Sequence, residues 1–230
     1  MPKPVTLRAA VQGLSKELKR LQATGEYEWS IPYQSKLGVT PPLLAAERQD
    51  LLEGLQEDRG LSLCDDVVEI YKSFYEIRLG WASKTFRRDR LSGNFNLTTL
   101  CDLYLENPEE PRELPGDLGF PAKLGEYRLF DWLGARERTV IRLCGKGQKP
   151  ELVCLFEGRT GRTDRLIKYP LKLSPAEYVK LGCLAFGLYG WQHFFVEGKR
   201  PVRAARNHFA ARLEALVPSS ASEFIRLAGF

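Results

Sequence analysis

Histidine is nearly missing from this chain: His193 and His208 are the two it has in 230 residues. Neither stands in an H-x-x-x-H or H-x-x-E arrangement. The helical ligand pair of a zinc hydrolase is therefore absent, and the commonest general base is in short supply. Paired cysteine spacing is missing as well. The five cysteines, at 64, 101, 144, 154 and 183, are odd in number, far apart and without a C-x-x-C pair. That argues against a zinc ribbon, a thioredoxin-type redox site and a disulfide framework. Cys144, Cys154 and Cys183 sit among apolar neighbours and are expected to be buried thiols, as suits a reducing cytosol. No apolar run approaches the length needed to span a bilayer. Met1-Pro2-Lys3-Pro4 carries no apolar signal core, and the expectation is a cytoplasmic protein that does not engage a membrane. There is no G-x-S-x-G elbow and no G-x-x-x-x-G-K-[ST] phosphate loop. Gly145-Lys146-Gly147 has the wrong length and context for one and reads as a turn. No metal and no cofactor are expected.

What is present is an ordinary core-forming composition, 43% hydrophobic and 27% charged. The chain is long enough for one sizeable core or two small ones. Net charge is +5, unevenly spread. Residues 1–60 are neutral, residues 61–135 carry −4 and residues 136–230 carry +9. Such polarity suits a charged macromolecular partner, and it also suits plain solvated faces.

The apolar pattern begins helically. Thr6 is placed to cap a helix whose stripe is Leu7, Val11, Leu14, Leu18 and Leu21, and Gly25 ends it. Residues 25–42 form an aromatic connector, with Trp29 and Tyr33, expected to lie against the body. A second helix is predicted over about Pro42–Asp58, with Leu43, Leu44, Leu51, Leu52 and Leu55 as its apolar positions. A third starts near Asp65 and Asp66 with Val67, Ile70, Tyr71 and Phe74 facing inward. The period then changes. Ile77, Leu79 and Trp81 alternate with Arg78 and Gly80, as in a strand, and Phe95-Asn96-Leu97 and Leu100–Leu105 follow. Residues 107–125, rich in proline and glycine, read as an insertion or long loop. Thr139–Cys144 and Leu152–Phe156 read as strands apolar on both faces. Gly158–Asp164 reads as a polar loop and Leu166–Leu173 as a last strand. Ser174-Pro175-Ala176-Glu177 is a capping box with proline at the first helical position. A final long helix is predicted over about Pro201–Val217, with Val202, Ala205, Phe209, Leu213 and Leu216 inward, and one more short turn at Ser222–Leu227. The order predicts an α+β fold: a mainly antiparallel sheet flanked by helices, with extra N-terminal and C-terminal helices.

Few residues carry candidate chemistry. Asp65, Asp66 and Glu69 mimic a paired-carboxylate site, but helix capping accounts for the two aspartates. His193 lies among aromatics and reads as a packed residue. Gly158–Arg165, with Arg159 and Arg162, is a hydroxyl-bearing basic segment that suits phosphate contact or a plain hairpin tip. Phe86-Arg87-Arg88-Asp89-Arg90, close after Trp81, has the composition of an interface or of a solvated loop.

Two blocks together resemble a known family. The first is Leu63-Cys64-Asp65-Asp66-Val67-Val68-Glu69-Ile70-Tyr71-Lys72-Ser73-Phe74-Tyr75, then Leu79-Gly80-Trp81, then Ser92-Gly93-Asn94-Phe95-Asn96-Leu97. The second is Leu171-Lys172-Leu173-Ser174-Pro175-Ala176-Glu177-Tyr178, running to Gly190-Trp191-Gln192-His193-Phe194-Phe195. They resemble the SUKH superfamily, which includes bacterial immunity proteins, over about residues 43–197. The resemblance implies three segments: an N-terminal helix and connector over 1–42, a SUKH-like α+β domain over 43–197, and a basic helical extension over 198–230 packed on that domain. It also implies a non-enzymatic immunity protein that neutralises a cognate toxin domain by covering its active or substrate-binding surface. Charge placement nominates Trp81, Arg87, Arg88, Arg90, Arg159, Arg162, Arg203 and Arg206 as contacts. The alternative is a nucleic-acid-binding or regulatory module that uses the basic C-terminal third.

Overall fold

The computed structural model describes residues 5–30, 37–59, 65–84, 91–105, 127–134, 137–142, 149–160, 163–198 and 201–230. Helix α1 (Leu7–Thr24) starts where Thr6 accepts a hydrogen bond from the Ala9 amide at 3.2 Å. It ends where Gly25 takes a left-handed conformation. Its buried stripe includes Val11, Leu14, Leu18 and Leu21. The connector that follows supplies an interrupted sheet edge. Strands β1 (Tyr27–Trp29) and β2 (Gly38–Thr40) pair antiparallel with opposite ends of β3 (Glu76–Ser83).

From β3 the sheet is an antiparallel meander: β4 (Ser92–Leu97), β5 (Tyr127–Gly134), β6 (Glu137–Arg142), β7 (Glu151–Thr160) and β8 (Thr163–Pro170). The chain has the expected α+β fold. Its helices are α2 (Ala45–Arg59), α3 (Asp65–Tyr71), α4 (Leu100–Leu105), α5 (Pro175–Leu184), α6 (Arg203–Leu216) and α7 (Pro218–Ala228), with a 3-10 helix at Trp191–Phe195. Ser174 and Glu177 close the expected capping box on α5. Helix α5 packs against α1, α3 and α7. One apolar cluster runs from Ala10 in α1 to Phe224 in α7.

Several sequence expectations need correction. Strand β5 went unread because two bulges interrupt its alternation. Phe130 is an extra residue between Leu129↔Val140 and Asp131↔Thr139, and Leu133 is another between Trp132 and Gly134. The polar loop expected at 158–164 is largely paired backbone: Gly158↔Arg165, Arg159↔Asp164 and Thr160↔Thr163 are in register. Helix α2 begins three residues later than predicted, and Leu44 is exposed. Val202 is 71% exposed and Ala205 is also exposed, so the inner face of α6 is Phe209, Leu213 and Leu216 alone. The short turn expected at the end is α7, eleven residues long. The strands apolar on both faces are buried on both. Ile141, Leu152 and Cys154 join the main core, while Val140, Val153 and Leu155 form a second cluster with Tyr127. The insertion at 107–125 and the turn at 145–148 lie outside the described residues.

The seam between β4 and β5 is unusual for a meander. One residue pair, Leu97↔Asp131, represents the ladder there. Side chains do the rest. Asn94 Nδ2 donates to Leu133 O at 3.0 Å, and Asn96 Nδ2 donates to Trp132 O at 3.0 Å. Thr98 Oγ1 donates to Leu129 O at 3.0 Å. Asn96 Oδ1 also accepts from the Leu79 amide at 3.0 Å, so one side chain joins three strands.

Candidate functional site: nominated contacts and a buried acidic network

Trp81 is a core residue. It is 3% exposed, its indole Nε1 donates to Phe186 O at 3.0 Å, and its ring meets Tyr27 edge-on with centroids 5.6 Å apart. A partner cannot reach it, and its nomination as a contact is corrected on that ground. The signal that misled was its closeness in sequence to an arginine cluster. Arg87, Arg88, Arg90 and Arg162 lie outside the described residues. Arg159 sits on β7 in register with Asp164. Arg203 and Arg206 share the first turn of α6, three residues apart. Arg203 is exposed, and Arg206 is half-buried and donates through Nη1 to Gly229 O at 3.4 Å. Of the eight nominated residues, these two are brought onto one element.

The other chemistry-bearing residues are accounted for by local structure. Asp66 and Glu69 are exposed on α3, and Lys72 Nζ donates to Glu69 Oε2 at 2.6 Å. His193 is exposed rather than packed inside, and its ring stacks on Phe156 with centroids 4.8 Å apart. Among the described residues no group of three or more His, Cys, Asp or Glu is arranged to hold a metal ion. No helix among them is long and apolar enough to cross a membrane.

The concentrated polar chemistry is internal, on residues the sequence did not single out. The Phe130 bulge turns Asp131 into the core beneath α5, where it is fully buried. Tyr178 Oη donates to Asp131 Oδ2 at 2.7 Å, and the Asn96 amide donates to Oδ1 at 2.8 Å. Thr139 Oγ1 lies 2.8 Å from Tyr178 Oη. With the tyrosine proton committed to Asp131, the threonine hydroxyl is the donor. Gln192 Nε2 approaches the same phenol at 3.5 Å. Burial pushes the Asp131 carboxyl up to about 7 against the pull of its two hydrogen bonds, and the nearby Glu137 adds to the rise.

Glu137 opens β6 on the same face as Thr139. It is 4% exposed, and neither carboxyl oxygen has a hydrogen-bond partner of normal geometry. Burial pushes it up to about 7, and the Tyr189 phenol is the one group that opposes the shift. The Cys154 thiol, also near Glu137, is pushed up by burial first and by that carboxylate second. Two acids, the Tyr178 phenol and a thiol are thus enclosed together, with the exposed Tyr189 at their edge. Low-dielectric surroundings hold the protons on both acids up to about 7 and keep the thiol protonated. The missing sequence signal is plain: Asp131 sits between Phe130 and Trp132, and Glu137 sits between Arg136 and Arg138. Neither context separates a buried acid from an exposed one.

The two blocks that carry the family resemblance interlock. The Asn94 amide donates to Gly187 O at 2.8 Å, and the Tyr189 amide donates to Ser92 O at 3.0 Å. Gly93 bridges Leu188, and a Cβ on Gly93 would overlap the Trp81 indole. A Cβ on Gly182 would overlap the Phe95 ring. Gly182 is where α5 approaches β4 too closely for a side chain, and Gly93 is where β4 leaves room for the Trp81 indole of β3. No protein-family model matches the chain, and no curated protein or solved structure matches it.

Proposed function

We propose that the chain is an immunity protein of the SUKH type, acting by binding rather than catalysis. It would engage a cognate bacterial toxin domain in the cytoplasm and cover its active or substrate-binding surface. The observation that carries this reading is the interlock of the two resembling blocks, about a hundred residues apart, through Trp81, Gly93, Gly182 and Phe186. The motif residues are spent on packing, which leaves the outer faces free to differ with the partner. Two further features support it. Asp131 is enclosed and hydrogen-bonded internally, which suits a rigid scaffold. The charge imbalance, −4 over 61–135 and +9 over 136–230, suits electrostatic steering of a fast encounter.

The test is expression and capture. Tagged full-length protein is used to recover partners from its native lysate with nuclease present and salt near physiological. One stoichiometric protein is expected, toxic when expressed alone and harmless when co-expressed with this chain. Arg203→Glu with Arg206→Glu is expected to slow association with that protein by about tenfold or more at low salt. Retention that vanishes on nuclease treatment would overturn the proposal in favour of nucleic-acid binding through the basic C-terminal third, whose mark is a steep loss of affinity with salt.

A further inference from the structure

Glu137 is the described acid that the fold neither exposes nor pairs. Its carboxyl oxygens are buried without a normal hydrogen bond, and the Tyr189 phenol is the side-chain group that lies against them. Tyr189 itself is 56% exposed. Its backbone is fixed by the amide bond to Ser92 O and by the Gly93–Leu188 bridge beside it. Opening of the cover would therefore be a rotation of the ring about its side-chain bonds, with the backbone held in place. Among the described residues no basic side chain acts on Glu137, whereas Arg78 acts on Asp131 and Arg20 on Glu17. A buried carboxyl with empty acceptor sites under an exposed aromatic ring has the requirements of one particular visitor. A guanidinium is planar, offers forked donors that match both carboxylate oxygens, and stacks on aromatic faces.

We propose that Glu137 and Tyr189 form a receiving pocket for an arginine side chain of the toxin partner. This rests on the partner-binding reading above and names one contact that the partner would bring. The guanidinium enters as the Tyr189 ring swings out, pairs with the Glu137 carboxylate and is covered by the phenol face. Entry ionises Glu137, so its proton leaves to solvent as the ion pair forms.

The test needs no partner. The full chain is labelled with 13C at glutamate side chains, and the Glu137 carboxyl carbon is assigned by through-bond spectra of the unmodified protein. It is titrated with acetyl-arginine-amide, and in parallel with acetyl-citrulline-amide, its neutral isostere. The expected result is a saturable shift at Glu137 with the arginine probe alone. Binding is expected to be about tenfold tighter at pH 8 than at pH 6, because only the ionised carboxyl binds, and the Glu137 midpoint is expected to fall from about 7 when the probe is bound. A midpoint the arginine probe does not move, or an equal response to citrulline, overturns the pocket. Either outcome leaves the toxin capture experiment intact, so the two proposals fail separately.

Discussion

Glu137 and Asp131 are the residues whose physics is least visible in the sequence and most consequential in the structure. Both are acids raised by burial to about 7. In the unfolded chain each would release its proton near the ordinary carboxyl value. Between that value and about 7 the native state holds protons that the unfolded state has lost. Their stabilising contribution is therefore full at acid pH and disappears as pH rises through about 7. Glu137→Gln keeps the shape and removes the ionisation. At pH 8 the variant is expected to be more stable than the parent by on the order of 2 kcal/mol. At pH 4 it should show no gain. Urea midpoints measured across that range decide it, and a parent whose stability rises steadily from pH 5 to pH 8 would rule the argument out. At this scale the candidate site was poorly legible. Trp81 looked like an interface anchor and is a core ring that donates to Phe186 O. The acids that matter were hidden between aromatic and basic neighbours.

Elements were more legible, for reasons that follow from their chemistry. Helix α5 announced itself through Ser174, Pro175 and Glu177, because a capping box is a local device that needs no tertiary partner. Helix α1 was readable from Thr6 and a regular stripe. Strand β5 was not, because two bulges remove its alternation, and Arg128 and Asp131 interrupt any apolar run. At β7–β8 the hairpin tip was legible but its paired arms were taken for loop, for a related reason: threonine, glycine and charged residues serve equally in a loop and in a solvated ribbon. The β4–β5 seam is a consequence of the same bulges, since a bulged strand cannot hold a regular ladder on both sides. Asn96 substitutes for that ladder. Asn96→Ala is expected to strip the Leu79 amide and the Trp132 carbonyl of their partners, at a cost of about 2–4 kcal/mol from two buried groups left unpaired. Chemical denaturation measures the loss, and hydrogen exchange should show the Leu79 amide among those that speed up most. A loss below about 0.5 kcal/mol, the level of an ordinary surface change, would mean that the backbone holds the seam without it.

For the molecule as a whole, the segments outside the family resemblance belong to the same core as the segment within it. Phe209 of α6 and Phe224 of α7 pack 5.5 Å apart between centroids, and Phe224 meets Phe195 edge-on at 6.1 Å. Glu17 of α1 accepts from Ser219 at 2.6 Å, and Arg20 of α1 donates to Leu216 O at 2.5 Å. Chain ends about two hundred residues apart are thus tied by both apolar and charge-assisted contacts. Helices α1, α6 and α7 are therefore expected to unfold with the body and not before it. Phe224→Ala removes a fully buried ring from the junction and is expected to cost about 3–5 kcal/mol. The decisive feature is how the loss appears. If the core is one cooperative unit, the variant's entire calorimetric transition moves to lower temperature as a single peak, with calorimetric and van't Hoff enthalpies still equal. If the C-terminal helices are a separate unit, a small early transition splits off and the main peak stays in place. That second pattern would make the basic helices an appendage free to move on partner binding. The first makes their charges, Arg203 among them, part of a surface held rigid by the same core that encloses Asp131 and Glu137.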